Sequence, residues 1–470
     1  MDAMMIALDR EATEPLYEQL YTAIKREILE GKISMGDRLP SRRKLAEHLS
    51  VSRTTIEFAY DQLVAEGYIE SLPRKGYFVK DIEELALTES TGPFLKNTNA
   101  PAGLEEFSPG KVDADSFPFS MWRKILKDVL DKNNTQLLEP GHPQGDPLLR
   151  NEIAGYLYQS RGVNCSPEQV IVGSGTEQLL PLLIRLIGPS AIFAFEDPGY
   201  PLTHTVFTHN DRRAIPVSVD SEGLLVEELI ATDADVAYVT PSHQFPTGAV
   251  MSAARRTQLL KWAAAGENRY IIEDDYDSEF RYIGRPIPSL QNMDSHNRVI
   301  YISTFSKSLM PSLRIAYMVL PAPLMEDYWK TFLHYSSSVP RTDQQLVTRF
   351  MENGHFMRHL NKMRIIYRKK WEVLTDTLQN YHPYVSVSGD QAGMHLVLNV
   401  KTGAPEKELI AQAAEAGIRV SGLAAFHVKQ SANESAKIVI GFGGLPESEI
   451  PSRIDRLMAS WSIKKQASRK

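Results

Sequence analysis

The sequence predicts two folds in one chain: a small helix-turn-helix with a β-hairpin at the N-terminus, then a larger α/β domain with a mostly parallel central sheet. Three observations carry this. At 470 residues the chain is too long for one ordinary domain. Two serine-capped helical stretches separated by two residues lie within "LPSRRKLAEHLSVSRTTIEFAYDQLVAEGYI". From Phe107 onward, short apolar runs alternate with helical stretches, the pattern of strands covered on both faces by crossover helices.

In chain order, "PLYEQLYTAIKREILEG" places Leu16, Leu20, Ile24 and Ile28 on one helical face and stops at Gly31. Ser41 caps a second helix whose inward face is Leu45, Ala46 and Leu49. Ser52 caps a third, with Ile56, Ala59, Tyr60 and Leu63 inward and Gly67 as its stop. The two-residue link, Ser50 and Val51, is the tight turn of a helix-turn-helix. "YIESLPRKGYFV" then reads as a hairpin with a basic tip. Between Asp37 and Arg53 five basic residues stand against two acidic ones, flanking helix N-termini where backbone donors also favour phosphate. Arg53, Thr54 and Thr55 open the third helix, where such side chains read base edges in a major groove. This stretch resembles the winged helix-turn-helix of the GntR family over nearly all of residues 11–80, with "RKGYFV" as the wing. The resemblance implies Arg42, Arg43, Arg53, Thr54, Thr55, Lys75 and Gly76 as contacts to operator DNA.

The net charge of −6 provides no global attraction to nucleic acid, so any such attraction is local to this segment. A single cysteine, Cys165, excludes an intrachain disulfide. The first residues carry acids and no long apolar core, unlike a signal peptide, and no apolar run approaches the ~18 residues of a membrane span. The expectation is a cytoplasmic protein without a membrane partner. Residues 81–106 lose periodicity and read as a linker.

In the remaining segment, 107–470, chemistry-bearing motifs follow the apolar runs, where an α/β sheet places ligands. "VIYISTFSKSLMPSLRIAY" surrounds Lys307 with Thr304, Ser306 and Ser308, and Arg314 follows seven residues later. Hydroxyls and an arginine suit an anionic group, and an amine in that setting suits Schiff-base chemistry. "GSGTEQ", with Ser174, Gly175 and Thr176, links a strand to a helix as a phosphate cradle does. "EDPGYP" sets Tyr200 where a ring stacks on a flat cofactor. "RYIIEDDYDSEF" ends a strand in Asp274, Asp275 and Tyr276. A carboxylate there suits a protonated ring nitrogen. Metal binding is the competing reading of these acids, and it is set aside because no His or Cys lies within the run.

Together these motifs resemble a fold-type-I pyridoxal 5'-phosphate (PLP) domain of the aspartate aminotransferase kind. By that resemblance Lys307 forms the Schiff base, Asp274 pairs with the pyridine nitrogen, Tyr276 bonds the ring's phenolic oxygen and Tyr200 stacks on the ring. Ser174, Gly175, Thr176, Thr304, Ser306 and Arg314 hold the phosphate. The fusion resembles the MocR/GabR group of bacterial regulators, with "PSHQFPTG", "EDDYDSEF" and "STFSKSLMPSLR" as characteristic phrases. It implies a homodimeric transcriptional regulator that senses a small amine, an amino acid or PLP itself. Two positions depart from the enzymes. Phe245 stands where Asn usually precedes "PTG", leaving the phenolic oxygen to His243 or Gln244. Val439 occupies the register of the arginine that clamps a substrate carboxylate, unless Arg341 or Arg364 replaces it, so slow transamination is expected. The rival reading is a working aminotransferase with an attached DNA-binding module.

Overall fold

The computed structural model describes residues 8–10, 14–80, 105–284, 287–429 and 435–466. It divides into two compact units, 1–100 and 101–470. The predicted linker, 81–106, falls outside the described residues except for its last two, which form a short strand.

In the small unit, α1 (Leu16–Leu29), α2 (Arg42–Leu49) and α3 (Arg53–Ala65) bury the faces that the apolar spacing marks: Leu20, Ile24, Ile28, Leu45, Ala46, Ile56, Ala59, Tyr60 and Leu63. Leu16 and Leu49 are the exceptions: both are half-buried, Leu49 at the edge of this core. Both serine caps form. Ser41 Oγ accepts from the Lys44 amide at 3.3 Å and Ser52 Oγ from the Thr55 amide at 3.0 Å, each satisfying a donor that the first helical turn leaves free. Between them Ser50 adopts the left-handed conformation, φ 52°, which reverses the chain in so short a link. The hairpin of β1 (Ile69–Leu72) and β2 (Gly76–Val79) packs Ile69, Tyr77 and Val79 onto the helices. Gly76 has φ +110°, and a Cβ there would meet Arg38 Nε at 3.2 Å, so the wing needs a glycine.

The large unit opens with β3 (Glu105–Glu106). Its main sheet comprises β4 (Val170–Gly173), β5 (Phe193–Asp197), β6 (Ala214–Asp220), β7 (Gly223–Leu224), β8 (Val236–Val239), β9 (Tyr270–Asp275), β10 (Val299–Thr304) and β11 (Ala316–Val319). The order is β4-β11-β10-β9-β8-β5-β6-β7, with β11 and β7 antiparallel to their neighbours and the rest parallel. Both faces are covered. Leu179, Leu180, Leu183 and Ile184 of the helix Thr176–Ile187 pack on one, and Leu259, Trp262 and Ala263 of the helix Ala253–Ala264 pack on the other. That double burial is why the strands read as continuous apolar runs.

A second sheet, of β12 (Val385–Ser388), β13 (His395–Val400), β15 (Ser421–Gly422) and β16 (Lys437–Gly441), is wholly antiparallel in the order β12-β13-β16-β15. Just before β15, β14 (Ile418–Arg419) pairs in parallel with β3. Of this sheet only the stretch around β16 stood out in the sequence.

The cap of α3 yields a stability prediction. Ser52→Ala is expected to lower the unfolding free energy of the small unit by about 1 kcal/mol, as loss of a serine N-cap does. Urea unfolding followed by circular dichroism, with Ser52→Asp as the cap-preserving control, measures it.

Candidate functional site

The carboxyl ends of the parallel strands open into a cavity of about 470 Å³. Gly175 and Thr176 reach it from the end of β4, Tyr200 from beyond β5, Thr240 from β8, Asp274 and Tyr276 from β9, and Thr304, Ser306 and Lys307 from β10. Arg314, just before β11, completes that side.

Asp274 is buried, and the alternation of β9 turns it towards Tyr238, whose strand-mate Ile272 lies two residues back on the same face. The Tyr238 hydroxyl donates to Asp274 Oδ2, whereas Oδ1, on the same cavity-lining carboxylate, has no partner among the described residues. Burial pushes this carboxyl up to about 7, against the pull of the Tyr238 hydrogen bond and with the Asp275 and Asp277 charges adding to the rise. Asp275 points the other way. Its carboxylate accepts from Arg161 Nε at 2.7 Å and from the Tyr301 hydroxyl at 2.7 Å, a buried structural pair.

Lys307 is half-buried and its Nζ donates to the Pro109 carbonyl. Burial lowers its ammonium to about 8, with Asp277 opposing, so an appreciable fraction is the nucleophilic free amine near neutral pH. Thr304 Oγ1 lies 2.8 Å from Ser306 Oγ. Gly175, φ +99°, allows the chain to pass so close to Arg314 that a Cβ would lie 2.3 Å from its guanidinium. Arg314 is exposed and paired with Glu177, the first-turn acid of the helix that Thr176 begins.

Not every predicted residue faces the cavity. Ser174 does not line it, and its amide donates to Ser338 Oγ at 3.1 Å. His243 is turned away: its Nδ1 donates to Asp277 at 2.9 Å and its ring packs 4.6 Å from that of His395. Gln244 is spent on Glu196 and the Pro198 carbonyl. Tyr276 lines the cavity, but its hydroxyl donates to the His243 carbonyl at 3.0 Å. His243, expected beside a ring oxygen, instead has its imidazole held by the buried Asp277 carboxylate and does not line the cavity. Donor atoms of His243, Asp277 and His395 gather within 4.8 Å, a grouping invisible to a search confined to residues 274–277. Of the three, His243 and Asp277 are hydrogen-bonded to each other, while His395 packs on the His243 ring and donates through Nε2 to the Pro246 carbonyl at 3.2 Å.

A further wall of the cavity was legible in the sequence only at Phe245. Phe245, His395, Ser421 and Phe426 line it, brought from separate segments. Phe245 sits edge-on to Tyr200, His395 and Phe426 at 5.8, 5.2 and 5.2 Å. Val439 is fully buried, clustered with Val397 and Leu423 beneath Phe426. Neither Arg341 nor Arg364 reaches the cavity: Arg341 binds the Gln136 carbonyl and Arg364 the Glu279 carbonyl.

In the small unit Arg43, Arg53, Thr54 and Lys75 are exposed. Arg42 is not free, since Tyr77 and Glu57 hold its guanidinium, and the Thr55 hydroxyl bonds Ser52 at 2.8 Å. Gly76 serves the wing's backbone.

A helix-turn-helix joined to an aminotransferase-type α/β unit defines a transcriptional regulator with an enzyme-derived domain. Residues 107–457 match the family of aminotransferase class I and II, and residues 16–79 the bacterial regulatory proteins of the gntR family. The chain belongs to the aminotransferase class I and II family, among the HTH-type regulators of the MocR kind. The uncharacterized HTH-type transcriptional regulator YdeL of Bacillus subtilis (strain 168) is 42% identical, over 97% of this chain and 99% of that protein. The probable rhizopine catabolism regulatory protein MocR of Rhizobium meliloti is 33% identical, over 97% and 96%. Among solved structures, an archaeal alanine:glyoxylate aminotransferase superposes with a TM-score of 0.70 at 25% identity, covering 77% of this chain and 91% of that one.

The raised Asp274 carboxyl gives a pH prediction for the ligand-free protein. A carboxyl whose folded value, about 7, exceeds the ordinary 3.8 destabilises the fold as pH rises between those values. Asp274→Asn is therefore expected to be more stable than the parent at pH 8, with the advantage shrinking towards pH 4. Paired thermal melts across that range measure it.

Proposed function

We propose that the chain is a PLP-binding transcriptional regulator, in which Lys307 carries the cofactor and the small unit binds operator DNA. The observation that carries this reading is the unpartnered, buried Asp274 Oδ1 in the same cavity as the depressed Lys307 amine. A buried carboxylate oxygen without a donor is costly, and a protonated pyridine nitrogen supplies one. The Gly175 approach and the hydroxyls of Thr176, Thr304 and Ser306 suit a phosphate, and Arg314 pairs with phosphate in place of Glu177. The residues present fit the group. PLP supplies an aldehyde that condenses with amines and a ring that withdraws electrons. Tyr200 covers one face, and Asp274 keeps the ring nitrogen protonated once its own charge is compensated.

On this reading a small amine, an amino acid or PLP itself is the effector, and its binding alters operator affinity. Turnover is inefficient, because among the described residues no cavity cation remains to orient a carboxylate once Arg314 holds phosphate. A homodimer suits paired half-sites. In the small unit Arg43, Arg53, Thr54 and Lys75 meet DNA directly, while Arg42 braces α2 against the wing.

Two measurements test these halves separately. Borohydride reduction of PLP-loaded protein is expected to fix the cofactor on Lys307, and Lys307→Ala to lose both the adduct and the visible band. A persistent adduct in that variant would overturn the assignment. Arg53→Ala is expected to cost about 1–3 kcal/mol of specific operator binding if it reads a base edge. Lys75→Ala is expected to weaken binding to all sequences evenly and to lower the salt slope. Unchanged affinity in both variants at matched salt would reject this docking surface.

A further inference from the structure

The wall facing Lys307 narrows the effector class, on the reading that the cavity holds PLP. Among the described residues lining the cavity the cations are Lys307 and Arg314. Lys307 is the attachment point, and Arg314 already faces the acid Glu177 beside the glycine cradle. Away from the phosphate cradle and Asp274, the lining open to an incoming ligand's substituent includes Tyr200, Phe245, Phe426, His395 and Ser421, with Pro109, Gly110, Thr240 and Tyr276 completing it. Among these, Phe245 makes edge contacts with both Tyr200 and Phe426. Beneath Phe426 the support is apolar as well: Val439 pairs in register with Val397 on one side and Ser421 on the other, and Leu423 closes the cluster. His395 carries no charge into this wall, since burial holds its imidazolium well below the usual histidine range. Its neighbours His243 and Lys307 act in the same direction. A carboxylate placed here would lose its water and gain no cation from the described residues, which is unfavourable. An apolar or aromatic substituent would gain burial and ring contacts.

We infer that the effector pocket is built for a primary amine bearing an apolar or aromatic group and no carboxylate. The arriving ammonium meets aromatic faces that attract cations. After losing its proton it takes the place of Lys307 on the aldehyde carbon. One carbon–nitrogen imine bond forms as the other breaks, the two amine hydrogens end on Lys307 Nζ, and no oxidant or reductant enters. The amine then occupies the aromatic wall while Lys307 is released as a free amine, a change of charge and contact at the strand ends.

A matched pair of probes tests this: phenethylamine and L-phenylalanine, which differ only by the carboxylate. Each is titrated at the same pH into PLP-loaded full-length protein, followed by the visible spectrum and by operator binding in a gel-shift assay. Phenethylamine is expected to reach half-saturation at a concentration lower by about tenfold or more, a difference of about 1.4 kcal/mol. Phe426→Arg, which introduces a cation into the wall, is expected to narrow or reverse that preference. L-Phenylalanine binding as tightly as phenethylamine, or neither probe shifting the spectrum, would overturn the inference while leaving the Lys307-dependent cofactor band intact. Absence of that band before any probe is added would overturn the cofactor reading, and the inference with it.

Discussion

The large unit is organised around one buried carboxylate that is only half satisfied. Asp274 sits at the end of an interior strand, where the sheet excludes water, and Tyr238 from the neighbouring strand occupies one of its oxygens. The other oxygen has no partner among the described residues. Such an arrangement costs free energy unless a donor arrives, so the fold is biased towards a ligand with a protonated nitrogen. The Tyr238 hydrogen bond also fixes the rotamer, and so decides which oxygen remains.

The neighbouring groups keep that tension from spreading. Asp275, one residue on, points to the opposite face, where Arg161 balances its charge and shares its Oδ2 with Tyr301, its Oδ1 having no partner among the described residues. Glu273 is capped by the amides of Leu290 and Gln291, at 2.7 and 2.8 Å. Asp277 is paired with His243. The four acids of "EDDYD" therefore have four different fates, set by side-chain alternation for the three on β9 and by the turn beyond it for Asp277. The same pairing of Asp277 with His243 removes the imidazole from the cavity and leaves Phe245 as the residue that shapes its wall.

Much of this was legible in the sequence because the signals are local. The serine caps, the two-residue turn and the apolar faces of α1 to α3 follow from spacing alone, and they form as expected apart from the half-buried Leu16 and Leu49. The parallel strands were readable because burial on both faces leaves no polar alternation. Less legible were β12, β13 and β15, short strands of an antiparallel sheet in which β13 pairs with β16, about 40 residues further along the chain. Phe426 belongs to the same class of failure: it meets Phe245 across about 180 residues, and nothing near either residue announces the contact.

By itself, then, the sequence determined the two-unit plan, the helix boundaries of the small unit, and which loops carry an amine, carboxylates and a phosphate-type glycine turn. These depend on propensity, capping and strand-end position, which are properties of neighbouring residues. Tertiary structure alone decided which of those side chains remain available. Tyr77 and Glu57 draw Arg42 into a brace, Asp277 draws His243 out of the cavity, and the Val439 cluster makes the far wall apolar. The reason is the same each time: availability depends on partners that packing delivers from distant segments, and no local pattern encodes them.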